Sequence, residues 1–283
     1  MSWLRFVAYN FLSGGSARRA RQWSRLHKAF APDVVFGQEC RPPEECPGER
    51  FRPRADDAFV WRRAGTGRWG SALFVRGARL VPIDVPQFGG WVTGGEIACA
   101  RYGERPVRIF SVHGPAGDHG YIRTMNEILD RLARLRGGAD LVLGGDFNVS
   151  VGYRGDRDPY QLSRRGRALL ERLGGELDLV SCWQTLHPDR PLAQTLRWTT
   201  NPTTPYHCDG IFVPRAWRAR LSSCRVVCGS RWRALSDHNP VYAELHERQA
   251  DAGRGVTDAQ GQGEAVAKVV APADVDDRSE PRA

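Results

Sequence analysis

Leu141-Val142-Leu143-Gly144-Gly145-Asp146-Phe147-Asn148-Val149 is an apolar run that stops on an acid and an amide. An uncharged stretch of this length bounded by glycine reads as a buried strand, and the polar pair lies at its end. The same pattern recurs along the chain. Phe6-Val7-Ala8-Tyr9 stops on Asn10, Val34-Val35-Phe36 on Gln38-Glu39, and Ile109-Phe110-Ser111-Val112 on His113. Ser236-Asp237-His238-Asn239-Pro240 stands just before the alternating strand Val241-Tyr242-Ala243-Glu244. Strand ends at one edge of a layered β structure would bring these polar groups together.

Working outward, strands are predicted over 4–10, 34–38, 58–62, 71–75, 96–102, 107–113, 141–145, 207–213, 221–227 and 241–244. Helices are predicted over 17–30, 121–136 and 163–173. The second helix carries Ile122, Met125, Ile128, Leu129, Leu132 and Leu135 on one stripe, a face made to pack on a sheet. Many strands and few helices argue against strict βαβ alternation. They predict two sheets packed face to face with helices outside, in one α+β domain over residues 1–246.

Residues 247–283 differ in kind: they are rich in Ala, Gly, Asp and Glu, contain no aromatic residue, and are expected to be a disordered low-complexity tail. Of the 41 Lys+Arg and 32 Asp+Glu in the chain, 36 and 24 fall in residues 1–246, so the folded part is more basic than the whole chain at +9. A basic domain concentrates polyanions. Only two of the basic residues are lysine, Lys28 and Lys268, and no run of basic residues interleaved with aromatics marks a nucleic-acid track. A solvated surface explains the excess as well.

Cys40, Cys46, Cys99, Cys182, Cys208, Cys224 and Cys228 are odd in number and lack paired C-x-x-C spacing, which predicts reduced thiols and a cytoplasmic location. The N-terminus reads as a strand rather than a signal segment, and no stretch approaches the roughly 18 apolar residues of a membrane span. No stable membrane insertion is expected, and a monomer is favoured.

Taken singly, each polar group has an ordinary explanation. Asp146 and Asn148 could form an Asx turn, Asn10 could end a strand, Glu39 could sit in a salt-bridged loop, and a histidine is more often structural than catalytic. Asp209 and Asp237 read equally well as turn or ion-pair acids. One site explains all of them together. Hydrolysis of a phosphoester needs charge neutralisation, a positioned water and help for the leaving oxygen. Asn10, Glu39 and Asp237 offer oxygen ligands for a hard cation, Mg²⁺ with Mn²⁺ as the alternative. Asp146 suits orienting or deprotonating the water. His238, with Asp209 behind it, suits either donation to a phosphoryl oxygen when protonated or uptake of the water's proton when neutral; which histidine is the base stays open.

These motifs, in this order, resemble those of the endonuclease/exonuclease/phosphatase superfamily, the deoxyribonuclease I-like fold, from Leu4 to about Leu245. Tyr9-Asn10 is similar to its first-strand Asn motif, Gln38-Glu39 to its metal-binding QE, and Ser111-Val112-His113 to its histidine motif. Gly145-Asp146-Phe147-Asn148 is similar to GDFN, Cys208-Asp209 with Ile211-Phe212-Val213 to the strand bearing the acid behind the histidine, and Ser236-Asp237-His238 to the terminal SDH.

The resemblance implies a four-layer α/β/β/α sandwich of two mixed sheets flanked by helices. It also implies metal contacts at Asn10, Glu39 and Asp237, and catalytic roles for His113, Asp146, Asn148, Asp209 and His238. Leu12 stands where many members have Asp or Asn, Gly210 where a tyrosine is common, and residues 58–63 hold no carboxylate to back His113. The expected activity is that of a divalent-metal-dependent phosphodiesterase or nuclease acting on a phosphoester substrate, with nucleic acid among the candidates. A phosphoinositide or sphingolipid esterase, with 86–91 as its apolar loop, and an idle phosphate-binding domain are the alternatives. Trp183, Trp198, Trp217 and Trp232 read first as packing residues.

Overall fold

The computed structural model describes residues 2–14, 21–155, 162–198 and 200–248. Among the described residues there are twelve strands: β1 (Trp3–Asn10), β2 (Val34–Cys40), β3 (Ala58–Arg63), β4 (Gly70–Val75), β5 (Leu80–Ile83), β6 (Val92–Ile97), β7 (Val107–His113), β8 (Asp140–Asp146), β9 (Leu179–Ser181), β10 (Asp209–Pro214), β11 (Leu221–Val226) and β12 (Val241–His246). The helices are α1 (Gln22–Phe30), α2 (Tyr121–Arg136), α3 (Arg164–Glu171), α4 (Cys182–Leu186) and α5 (Ser230–Arg233). Of the tail expected over 247–283 only Glu247 and Arg248 are described, and Glu247 is ordered, its amide donating to the Ser2 carbonyl and its carboxylate pairing with Arg101. The rest of that tail and the first residues of the helix expected from Ala17 lie outside the described residues.

Two six-stranded sheets form, in the orders β11-β12-β1-β2-β4-β3 and β5-β6-β7-β8-β10-β9. Each is antiparallel except for one central parallel pair, β1 with β2 and β7 with β8. The two parallel pairs face each other across the sandwich, β1 against β8 and β2 against β7.

Strands this apolar follow from burial on both faces. In β1, Leu4, Phe6 and Ala8 point between the sheets with Val34 and Phe36 of β2, Ile109 of β7 and Val142 of β8. The alternate residues Val7 and Tyr9 point outward under α1, which contributes Trp23, Leu26 and Phe30. On the other sheet, Phe110, Leu141 and Leu143 are covered by Met125, Ile128, Leu129 and Leu132 of α2 and Leu169 of α3. Helices outside two packed sheets give the four-layer sandwich. Each fully buried Phe or Leu contributes about 1.5–3 kcal/mol of transfer free energy.

Gly144 lets the sheets approach: a Cβ there would lie 2.4 Å from the Phe36 ring of the facing sheet. A similar demand explains the one displaced strand. The segment predicted at 96–102 is β6 over Val92–Ile97, because Gly94 and Gly95, which read as a loop, lie in the strand. A Cβ on Gly94 would meet Phe110 at 2.1 Å, so only glycine fits beside that ring. The short edge strands β5 and β9 carry too little pattern to be recognised in sequence.

Candidate active site

The topology makes the site. Because β1 and β2 run parallel, Asn10 and Gln38 end side by side; because β7 and β8 run parallel, so do His113 and Asp146. β10 is antiparallel to β8, so its first residue, Asp209, pairs with Asp146, the last residue of β8. β12 is antiparallel to β1, so the loop before it, with Asp237 and His238, passes the end of β1. Ser236 fastens that loop: its hydroxyl donates to the Asn10 carbonyl at 2.8 Å and accepts from the His238 amide at 3.0 Å.

Glu39 is aimed by a bulge. The β2–β4 register shifts between Gly37 and Cys40, and Glu39 takes φ 47°, a left-handed conformation that glutamate rarely adopts. Its Oε2 accepts from the amide and hydroxyl of Ser13 at 2.8 and 3.2 Å, and Oε1 accepts from Asn10 Nδ2 at 3.2 Å. Asn10 also donates to Asp146 Oδ2 at 3.0 Å, while its own Oδ1 accepts from the Leu12 amide at 2.8 Å. The fully buried Asn10 amide thus bridges the two carboxylates through its nitrogen. Asp146 Oδ1 accepts from the amide of Asn148, itself at φ 52°, whose side chain donates to the Gly114 carbonyl at 3.0 Å.

Under this layer a polar seam ties the two sheets together. Gln38 Nε2 donates to Ser111 Oγ at 2.9 Å, and Ser111 donates to the Gly37 carbonyl at 3.1 Å.

The two histidines sit in opposite environments. His113 packs against the touching pair Trp69 and Trp91, with ring centroids 5.5 and 5.0 Å away, and its Nε2 stands 3.7 Å from Glu39 Oε1 and 3.8 Å from Asp146 Oδ2. Nδ1 is buried with no hydrogen-bond partner among the described residues. Burial lowers its pKa against the opposing pull of Asp146 and Glu39, which favours a neutral ring. His238 is equally enclosed, but burial is outweighed there by the Asp209 and Asp146 carboxylates, and its pKa is pushed up to about 10. Its Nε2 is 3.7 Å from Asp146 Oδ2 and 3.9 Å from Asp237 Oδ1. Asp146 is raised by burial and by repulsion from Asp209, with His238 opposing.

Asp146, Cys208, Asp209 and His238 place ligand-type atoms within 4.8 Å of one another, all buried. Glu39 and Asp237 lie outside that group and are the more accessible acids, with side chains 19% and 24% exposed. Cys208 donates to Asp209 Oδ2 at 3.6 Å, and burial pushes its thiol well up.

Several supporting groups escape sequence reading. Thr195 accepts from the amides of both Cys208 and Asp209, at 3.0 and 3.1 Å, and the Arg197 amide donates to the Asp237 carbonyl at 2.9 Å. Neither sits in a recognisable pattern. Ser13 and Trp91 leave only a weak signal, a polar residue after Asn10 and an aromatic beside glycines. His207 is buried with Nδ1 at 2.7 Å from the Ala193 carbonyl, and burial lowers its pKa to about 4. Trp217 and Trp232 are buried as expected of packing residues, whereas Trp198 is 53% exposed.

Residues 7–238 match the profile of the Endonuclease/Exonuclease/phosphatase family. No curated protein sequence matches the chain. Among solved structures, the fold is similar to an AP endonuclease from Archaeoglobus fulgidus, at 17% identity and TM-score 0.61, covering 85% of this chain and 98% of that one. The catalytic domain of Xenopus laevis APE2 aligns at 18% identity and TM-score 0.62, covering 88% and 94%. A 3′ phosphatase, NExo from Neisseria, bound to a product DNA hairpin, aligns at 20% identity and TM-score 0.59, covering 86% and 99%.

Proposed function

Because the chain belongs to the Endonuclease/Exonuclease/phosphatase family, we propose that it is a divalent-metal-dependent phosphodiesterase that acts by in-line attack of water. One observation carries the reading: Asn10, Glu39, His113, Asp146 and His238, from five separate segments, meet within hydrogen-bond or ion-pair reach, with Asp209 behind His238.

The donor set fits a hard cation. Glu39, Asp146, Asp209 and Asp237 outnumber the single imidazolium of His238, and an excess of carboxylate oxygen is what Mg²⁺ or Mn²⁺ neutralises. Glu39 and Asp237, the accessible acids, would hold it, with Asn10 orienting Glu39. The bound ion would supply charge neutralisation at the phosphoryl and leaving oxygens.

The remaining steps belong to the chain. Asp146, made a stronger base by burial and by the neighbouring Asp209 carboxylate, orients and deprotonates the attacking water, with Asn148 beside it. His238, held as imidazolium by Asp209, donates from Nε2 to a phosphoryl oxygen. The neutral His113 ring offers a further donor where charge builds on the phosphoryl group. One such preorganised donor contributes roughly 2.7–4 kcal/mol to the barrier reduction.

The lipid-esterase alternative loses its candidate loop. Phe88 packs against the outer core and Trp91 against His113, so the two aromatic side chains of 86–91 are half-buried rather than offered to a membrane. Among the described residues no helix is long and apolar enough to cross a membrane. An idle phosphate-binding domain has no use for Asp146 and Glu39 both tied to Asn10. The seven free cysteines support a reducing compartment.

Turnover of bis(4-nitrophenyl) phosphate with Mg²⁺, with Mn²⁺ and with EDTA tests the proposal. Activity should vanish in EDTA, and Asp146→Ala or His238→Ala should lower it at least about a hundredfold. EDTA-resistant turnover, or near wild-type turnover by either folded variant, would overturn it.

A further inference from the structure

Two openings lead to the site, and both have Asp237 in their walls. One is a cleft of about 1330 Å³ that reaches Asn148, Asp237 and His238 and carries Tyr121, Arg165 and Trp198 on its walls. The other is a smaller pocket of about 270 Å³ lined by Leu12, Arg197, Arg233 and the segment to Asp237. Arg165 and Arg233 are exposed, one in each opening. Among the described residues four large hydrophobic side chains are markedly exposed, and two of them, Tyr121 at 43% and Trp198 at 53%, lie in the larger cleft. An edge-to-face contact with Tyr206, centroids 6.0 Å apart at 66°, holds the Trp198 indole while more than half of it remains in solvent.

A phosphate at a chain end, or a head group on a lipid, requires anion contacts on one side of the reacting phosphorus. Guanidinium groups on both sides, with an aromatic face on one, match a chain in which phosphates alternate with flat rings. A ring can stack on Trp198 only when its own face is free, which a paired base inside a duplex does not offer. We propose that the two openings bind one continuous unpaired polynucleotide strand, with a base stacked on Trp198 and flanking phosphates at Arg165 and Arg233, so that the enzyme cuts internal phosphodiesters of single-stranded nucleic acid.

This inference rests on the phosphodiesterase reading, and the test separates the two. Closed single-stranded circles of DNA and of RNA, the same circles annealed to complements, and bis(4-nitrophenyl) phosphate are compared with Mg²⁺. At least one unpaired circle is expected to be opened, at least about tenfold faster than its duplex form, the preferred sugar being read from the DNA and RNA arms. Trp198→Ala should lower kcat/KM on that circle at least about tenfold relative to the small diester, with Trp198→Phe recovering most of the loss. Arg233→Glu should raise KM on the circle and flatten its dependence on salt. Turnover of the small diester with every unpaired circle intact overturns the inference, as do variants that leave circle opening unchanged or lower both substrates equally. Failure to turn over the small diester as well removes the phosphodiesterase reading, and this inference with it.

Discussion

Both carboxylate oxygens of Asp209 lie on the Nδ1 side of His238, at 3.0 and 2.9 Å, and Thr195 holds the Asp209 backbone by accepting from its amide at 3.1 Å. The acid thereby fixes which ring nitrogen, Nε2, is turned toward Asp146 and Asp237.

In the proposed mechanism the imidazolium is the form that donates, and the raised pKa keeps it until pH rises through about 10. Asp209→Asn removes the charge that offsets burial, so the alkaline limb of kcat/KM should move down by at least about one pH unit. Turnover at neutral pH should fall at least about tenfold. A pH–rate profile of the variant with an unmoved alkaline limb would show that His238 does not act as the donor.

Glu39 reaches its position by a bulge and a left-handed backbone, and Ser13 holds its Oε2. Glu39→Gln keeps the shape and removes the charge. The Mg²⁺ concentration for half activation should rise at least about tenfold, and Mn²⁺ binding followed by electron paramagnetic resonance should weaken in parallel. Unchanged Mn²⁺ binding would place the cation elsewhere.

His27 stacks on Phe51 with centroids 3.7 Å apart and meets the edge of Phe74 at 4.7 Å, while its Nε2 is buried with no partner among the described residues. Burial lowers its pKa from 6.5 to about 3, so the folded protein keeps the ring neutral where the unfolded chain protonates it. A group of this sign contributes its full share of stability above pH 6.5, and that share is lost as pH falls, at about 1.4 kcal/mol per unit down to pH about 3. His27→Leu should therefore show a shallower loss of stability in denaturant titrations between pH 7.5 and 4.5 than the native chain. Parallel losses would mean that the ring takes up its proton without leaving its site.

Gly144→Ala would drive a methyl group to within 2.4 Å of Phe36 across the sandwich. Overpacking of this kind costs about 1–3 kcal/mol. Guanidinium denaturation should report that loss, and the double variant Gly144→Ala/Phe36→Leu should recover part of it.

Much of this architecture is legible in the sequence, because the side chains that meet at the site terminate apolar strands. Asn10, Glu39, His113 and Asp146 each follow a short apolar run that reads as a buried strand, and parallel pairing in both sheets then brings those ends together. What stays hidden depends on neighbours distant in sequence. β6 is masked by glycines that make sense only beside Phe110, and β5 and β9 are too short for any period to appear. Thr195 and Ser13 are ordinary loop residues until the strand ends they support are in place. Asn10 reads as an oxygen donor, yet its oxygen goes to the Leu12 amide and its nitrogen to the carboxylates, a choice fixed only by the turn that follows β1.

The pairing of β1 with β12 has a consequence for how the molecule is made. Trp3 to Ala8 find their antiparallel partner only in Val241 to His246, and the same pairing draws Asp237 and His238 over Asn10. Closing so long a loop makes folding slow and cooperative, with most of the chain needed before the last strand docks. A growing chain on the ribosome would carry Asn10, Glu39 and His113 long before it held His238, so the proposed site is completed late and all at once.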